Sequence, residues 1–388
     1  MRVARVAAVI LFCFLVRVPE APSQSRLSSL PDRLSDAEFW KIFTEFSEPN
    51  GDYPYENFVT NEETIQDVMP VLAKVTKPGG VYLGVGPEQN FTYAAGIKPK
   101  MAFIFDIRRQ NAIELLLYKA LFEISPTRSE FVSRLFSIKT PDKVPSTARA
   151  NGLFLAIDGL KGDKAYYTEN LAAIKANLKK HGFALSADDL SKIEYIYDVF
   201  FRAGPQIDYT FASAYPAGMA PAPNYIQAMT DTDANKKQWS YLATEENYQF
   251  VRDMQMRNVF IPIVGDFGGP QAIRKVAAYI TQHNAIVSAF YVSNVEVYLE
   301  GTGGPVSARS GNAEKRQRFY DSVAELPVDR SSMFIRFIGA GNATNLKWWK
   351  GSWLQAVSPI LDLKERVRAG GKPTYTEALQ IIPDPATL

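Results

Sequence analysis

The sequence predicts a three-layer α/β fold with a mainly parallel sheet and a helical insertion. Two stretches carry that expectation. Residues 81–107 run as strand, glycine turn, helix and strand, and the alternation resumes at 259 with VFIPIVGDF, AIVSAFYVSNVEVYL and MFIRFIGAG. A hydrophobic fraction of 46% beside 22% charged residues is ordinary for a globular chain, so disordered, collagen-like and coiled-coil readings fall away.

The chain opens with a leader. Arg2 and Arg5 precede an apolar run from Val6 to Val16, and Ala21-Pro22-Ser23 offers a small-residue cleavage site. Spanning ~30 Å of hydrocarbon takes about 20 apolar residues, so the run is too short for a stable membrane span and reads as a signal peptide over 1–23. The expected location is secreted or periplasmic. Cys13 follows Phe12, where a lipobox wants a small residue. Cleavage removes three basic residues and one acidic residue, so the 43 Lys+Arg and 41 Asp+Glu become equal in number. It also removes the only cysteine. A neutral, cysteine-free chain of about 365 residues can bury enough core without disulfides. Its charge gives no footprint for nucleic acid, and two histidines leave little for a metal site.

A helical lead-in is expected over 24–80: a capped amphipathic helix within Ser28 to Ser47, opened by Ser35-Asp36, a loop, and a second helix from Glu62 to about Val75. The first part of the core follows over 81–137. Val81 to Val85 is a buried strand, Gly84 and Gly86 form a tight turn, Thr92 to Ile97 is helical, and Met101 to Ile107 is a second strand containing Asp106. Helices then run from Asn111 to Phe122 and from Ser129 to Phe136. The insertion, 138–255, holds helices at Tyr167 to Lys180, Ser186 to Phe201 and Glu245 to Arg257. Its Ala- and Pro-rich loop carries Tyr209, Phe211 and Tyr215, which either roof the site or tack the loop down. The second part of the core, 256–347, continues with helices at Pro270 to His283 and Asn312 to Leu326. The tail, 348–388, is expected to be helical and then irregular, with Trp348, Trp349 and Trp353 packing it onto the body.

The glycine turn is the strongest local signal for chemistry. Two glycines let the backbone bend and approach a ligand at the amino end of a helix. Asp106, at the end of the next strand, can accept hydrogen bonds from two ribose hydroxyls. Position 89 is Gln, so the third glycine of a dinucleotide fingerprint is missing. Glu88, Gln89, Asn90, Asp106, Arg108, Arg109 and Asn111 are therefore expected to line a ligand crevice, or to pair with one another. Asp266-Phe267-Gly268 lacks every other kinase motif, and no HExxH, GxSxG or P-loop string occurs. His181 and His283 sit at helix ends, where the local dipole accounts for them. The sequons at Asn90 and Asn342 read as chance.

This pattern resembles the class I S-adenosylmethionine-dependent methyltransferase fold. IPIVGDF resembles the strand that ends in Gly-Asp near adenine, and FYVSNVEVYL resembles the strand facing the methyl group. More closely, residues 81–111 and 245–300 resemble a family of secreted bacterial proteins and lipoproteins of unknown function, through the strings GVGPEQNFTY, DIRRQN, VGDFGGP and FYVSNVE. The resemblance implies a methyltransferase-like Rossmann core. It implies Gly84, Gly86, Glu88, Gln89, Asn90, Asp106, Arg108 and Asp266 as cofactor-binding residues, and Asn294 and Glu296 nearest the chemistry. The sequence departs from the pattern at Tyr82, where an acid is usual, and at Glu88, whose carboxylate would repel that of S-adenosylmethionine unless Arg108 or Arg109 neutralises it. The leading expectation is a secreted protein binding a small nucleotide-like ligand. The alternatives are an S-adenosylmethionine-dependent methyltransferase, or a non-catalytic interaction protein of the cell envelope.

Overall fold

Strand β1 (Val81–Val85) is hydrogen-bonded on one side to β2 (Met101–Asp106) and on the other to β4 (Val287–Ser293), both parallel. In the computed structural model β3 (Phe260–Val264) and β5 (Met333–Gly339) extend these flanks, and β6 (Trp353–Pro359) closes the sheet antiparallel to β5. The order is β3-β2-β1-β4-β5-β6. Residues 29–140, 144–212, 222–301, 311–339, 341–342, 353–380 and 382–384 are described. The leader, Tyr215, Trp348 and Trp349 lie outside them.

The β1, β2, β3 and β5 sequences are near-continuous apolar runs because parallel strands are covered on both faces. One helical group contains α2 (Met69–Val75), α3 (Gln89–Ile97), α4 (Arg109–Ile124) and α10 (Glu245–Met256). The other contains α1 (Asp36–Phe46), α11 (Ala272–Gln282), α12 (Val295–Glu300), α13 (Ala313–Glu325) and α14 (Ile360–Arg368). Each group packs among its own members, and the sheet lies between them. This is a three-layer, Rossmann-like α/β fold with a mainly parallel sheet. A short helix, α15 (Tyr375–Leu379), packs on α12.

The insertion contributes α5 (Arg128–Phe136), α6 (Ala150–Leu155), α7 (Lys164–Lys180), α8 (Ala187–Ala203) and α9 (Tyr225–Thr230). Helix α4 touches β2 and β3 on one face, and α7 and α8 cover the other. That double burial explains why RQNAIELLLYKALFEI is apolar nearly all round. Arg109 locks the insertion to the core with a bidentate pair to Asp189, at 2.7 and 2.8 Å. Among the described residues, no helix is long and apolar enough to cross a membrane.

Helix α1 starts at Asp36, as Ser35-Asp36 led one to expect, because Ser35 and Glu38 form a reciprocal capping box there. Three elements differ from expectation. Helix α2 starts at Met69 rather than at Glu62. The apolar run from Ala285 does not continue as a strand to Leu299: Ser293 turns left-handed and α12 begins at Val295. The tail is not helical at first, since β6 pairs with β5 along its whole length before α14 begins. Its alternating Leu354, Gln355, Ala356 and Val357 is a weak period-2 signal between polar and aromatic neighbours.

Candidate functional site

The sheet order reverses between β1 and β4, so the loops leaving these strands diverge and open a crevice at their carboxyl ends. A cavity of about 390 Å³ occupies it. Its strand-end wall is built from Gly86, Asp106, Asp266, Phe267, Ser293 and Asn294. The facing wall comes from the chain after α1, which crosses the strand ends and contributes Tyr53, Asn57, Asn61 and Glu62. Backbone contacts fix that crossing: Glu48 N–H donates to the Val264 carbonyl, and Gly51 N–H to the Ile107 carbonyl, both at 2.8 Å. The Glu48 carboxylate accepts from the N–H groups of Asp266, Gln271 and Ala272, so it fills the amino end of α11.

The glycine turn holds itself together. Asn90 is fully buried; its amide donates to the carbonyls of Val85, Gly86 and Pro87, and its Oδ1 accepts from the Tyr82 hydroxyl. A Cβ on Gly84 would meet Asn90 Oδ1 at 1.9 Å. Gly84 therefore makes room for this knot, and Asn90 is spent on it rather than on the cavity. Gly86, at φ +80°, lines the cavity, and so does Gln89. Gln89 Nε2 donates to the Tyr291 hydroxyl at 3.3 Å, while its Oε1 has no partner among the described residues.

Asp106 presents its carboxyl to the same cavity. One oxygen accepts from the Arg108 N–H at 3.0 Å and the Asn57 amide also donates to it. Burial pushes this carboxyl up to about 6, against those donors and the Arg108 charge. Glu62 is raised to about 7 by burial, although Ser293, Tyr291 and Gln355 all donate to it. Asp52, Glu62, Asp106 and Asp266 give the cavity four carboxyls. Among the described residues that line it, the cation is Lys315, engaged with Asp266 at 2.6 Å. Tyr53 joins the hydroxyls of Tyr298 and Tyr209 at 3.3 and 3.5 Å, forming an aromatic roof.

Several sequence-derived candidates stand elsewhere. Glu88 faces the interior: the Thr60 N–H donates to Oε1, Oε2 has no partner among the described residues, and burial raises it to about 7. Among the described residues it makes no arginine pair. Arg108 donates to the Tyr55 carbonyl, Glu56 and Gln110, and Arg109 is held by Asp189. Glu296 sits against β5, fully buried, pairing with Arg336 at 2.6 Å and accepting from Tyr320 at 3.0 Å. The period of α12 turns it away from Asn294, which stays in the crevice. Of the loop aromatics, Tyr209 reaches the roof and Phe211 is exposed under Arg202. Tyr53, Asn57 and Glu62 were not marked as site residues by the sequence, since the crossing segment has no periodicity and lies far from the strand-end motifs in the chain, whereas Ser293 stands inside the FYVSNVE string, next to Asn294.

No curated protein matches this chain. The profile of the domain of unknown function DUF7790 matches residues 57–147 and 163–384, spanning the crossing segment from Asn57 onward, all six strands and most of the insertion. The chain belongs to the DUF7790 family.

Proposed function

We propose that this protein is an exported binder of a small nucleoside-like ligand, taken up in the crevice at the β1/β4 reversal. The observation that carries the reading is Asp106. Its carboxyl is fixed by Arg108 N–H and the Asn57 amide, faces the cavity, and ends the strand beside the glycine turn. A carboxylate so placed accepts two hydrogen bonds from vicinal hydroxyls. Phe267 supplies an apolar surface for a base, and Gln89 Oε1 supplies an acceptor without a partner among the described residues. The carboxyl-rich wall disfavours a phosphate, so a nucleoside fits better than a nucleotide.

A second reading, a bound S-adenosylmethionine, is favoured by one observation. The wall suits a positively charged sulfonium, and Glu88 lies outside the cavity, where its carboxylate opposes nothing. The residues that would hold the group are Asp106, Gly86 and Gln89, with Asn294 near an acceptor; bound there, it would supply a transferable methyl.

Thermal unfolding with ribonucleosides, their 2′-deoxy counterparts and S-adenosylmethionine tests both readings. A ligand at 100 times its dissociation constant stabilises by about 2.7 kcal/mol. Stabilisation by ribonucleosides above deoxynucleosides supports the first. A response confined to S-adenosylmethionine supports the second. No response to any of them refutes both and leaves an interaction protein.

A further inference from the structure

At the crevice wall, Ser293 ends β4 with a left-handed backbone, φ 52°, before α12 begins. A non-glycine residue persists in that region only where its surroundings hold it there, and such residues cluster at functional sites. Strand, sharp turn and helix together lift the side chain into the cavity, as they do for serine nucleophiles in other α/β folds. Tyr291 and Val295 stand where the GxSxG string has glycines, so the motif is invisible in the sequence.

The Ser293 hydroxyl donates to Glu62 Oε1 in a short contact. Glu62 is itself aimed by a third group: Gln355 Nε2 donates to its Oε2 at 2.5 Å, and the Tyr291 hydroxyl donates as well. Nucleophile to base and base to orienter, each within hydrogen-bond reach, is the arrangement that activates a hydroxyl. The Asn294 carboxamide lies against the same hydroxyl, with its Oδ1 3.4 Å from Ser293 Oγ. That oxygen accepts from Ser293, and a half-turn about the terminal torsion would present the Nδ2 of the same carboxamide to an oxyanion forming beside Ser293. Tyr82, Tyr93 and Tyr291 are the titratable groups facing Glu62.

We propose that Ser293 is a nucleophile with Glu62 as its general base and Asn294 as its oxyanion donor, and that the crevice hydrolyses small carboxylic esters. Ser293 Oγ bonds to the ester carbonyl carbon as its proton passes to Glu62. The bond to the alcohol oxygen then breaks, and Glu62 returns the proton to that oxygen. Water bonds to the acyl carbon in the second half, giving its proton to Glu62 and thence to Ser293 Oγ, and the carboxylic acid leaves. Ester and water become acid and alcohol. The raised carboxyl of Glu62, about 7, suits a base that must both take and return a proton near neutrality.

The test needs no nucleoside, so it succeeds or fails apart from the binding proposal. The full chain is treated with a fluorophosphonate probe and assayed with p-nitrophenyl acetate. The expected result is one adduct, mapped by peptide mass to Ser293, forming faster as pH rises through about 7. Ester turnover should be abolished in Ser293→Ala and slowed about a hundredfold or more in Glu62→Gln. Both variants should melt within a few degrees of the parent. Asn294→Ala should lower kcat about a hundredfold with little change in KM. An unmodified Ser293 at saturating probe, or turnover unchanged in a folded Ser293→Ala, overturns the proposal.

Discussion

The Tyr82 hydroxyl donates to Asn90 Oδ1 at 2.8 Å, across a glycine that has room for no side chain. Tyr82 occupies the position where the methyltransferase pattern has an acid, and here it closes the turn instead of meeting a ligand. Gly84→Ala and Asn90→Ala should each destabilise the fold by about 2–4 kcal/mol. The first drives a Cβ into Asn90, and the second leaves buried Tyr82 and three carbonyls short of partners. Urea unfolding measures this, and a loss under about 0.5 kcal/mol would show that the turn is held otherwise.

Glu296 and Arg336 form a buried ion pair between α12 and β5, with Tyr320 and Ser358 completing their hydrogen bonds. Removing one partner leaves an uncompensated buried charge, so Glu296→Ala should cost about 3–5 kcal/mol. Replacing both residues with apolar side chains of similar volume should cost far less. Denaturant titration of the single and double variants separates the two outcomes.

Asp106, Glu62 and Glu88 all titrate above their ordinary ranges because burial disfavours their charged forms. The folded chain therefore binds protons that the unfolded chain has released. Stability from these groups is present below their unfolded values, 3.8 for Asp and 4.5 for Glu, and declines as pH rises toward about 6 and about 7. Asp106→Asn should accordingly raise the melting temperature at pH 8 and do so less as pH falls toward 4. A stability cost of that carboxylate is what a ligand-binding position carries.

His181 bridges Asp36 and Glu123 at 2.7 Å each, beside Lys119. Burial pulls its pKa down, but the hydrogen bonds and charge of Glu123 and Asp36 outweigh that and raise it above 6.5. Its stabilising contribution is complete below 6.5 and is lost as pH rises through the higher folded value. For Glu123, burial pushes upward, and His181 and Lys119 together hold it at about 2. That contribution is present above 4.5 and is lost as pH falls toward about 2. The stability difference between the parent and His181→Gln should thus shrink as pH rises past neutrality, read from paired melting curves between pH 5 and 9.

Much of the fold was legible in the sequence, and for one physical reason. Parallel strands covered on both faces must be apolar runs, so VYLGV, MAFIFD, FIPIV and MFIRFIG stand out even without neighbours. Asp106 and Gly86 were legible too, because strand ends and turns constrain local residue choice. Half of the crevice was not. Tyr53, Asn57 and Glu62 reach it along an irregular segment anchored by backbone hydrogen bonds, which leave no pattern in the side chains. Glu88, Asn90 and Arg108 sat in the right string but face the interior, the turn and the crossing segment respectively. Whether a polar side chain faces a ligand or its own backbone depends on rotamers that spacing does not encode.

The central claim is that Asp106 holds the hydroxyls of a nucleoside-like ligand. Calorimetric titration of the four ribonucleosides into the parent protein and into Asp106→Ala tests it most directly. The account predicts saturable one-site binding of at least one nucleoside to the parent, weakened at least about thirtyfold in the variant, from loss of hydrogen bonds to a charged acceptor worth about 2 kcal/mol or more. Absence of saturable heat with all four, or equal affinity in a folded Asp106→Ala, would contradict it.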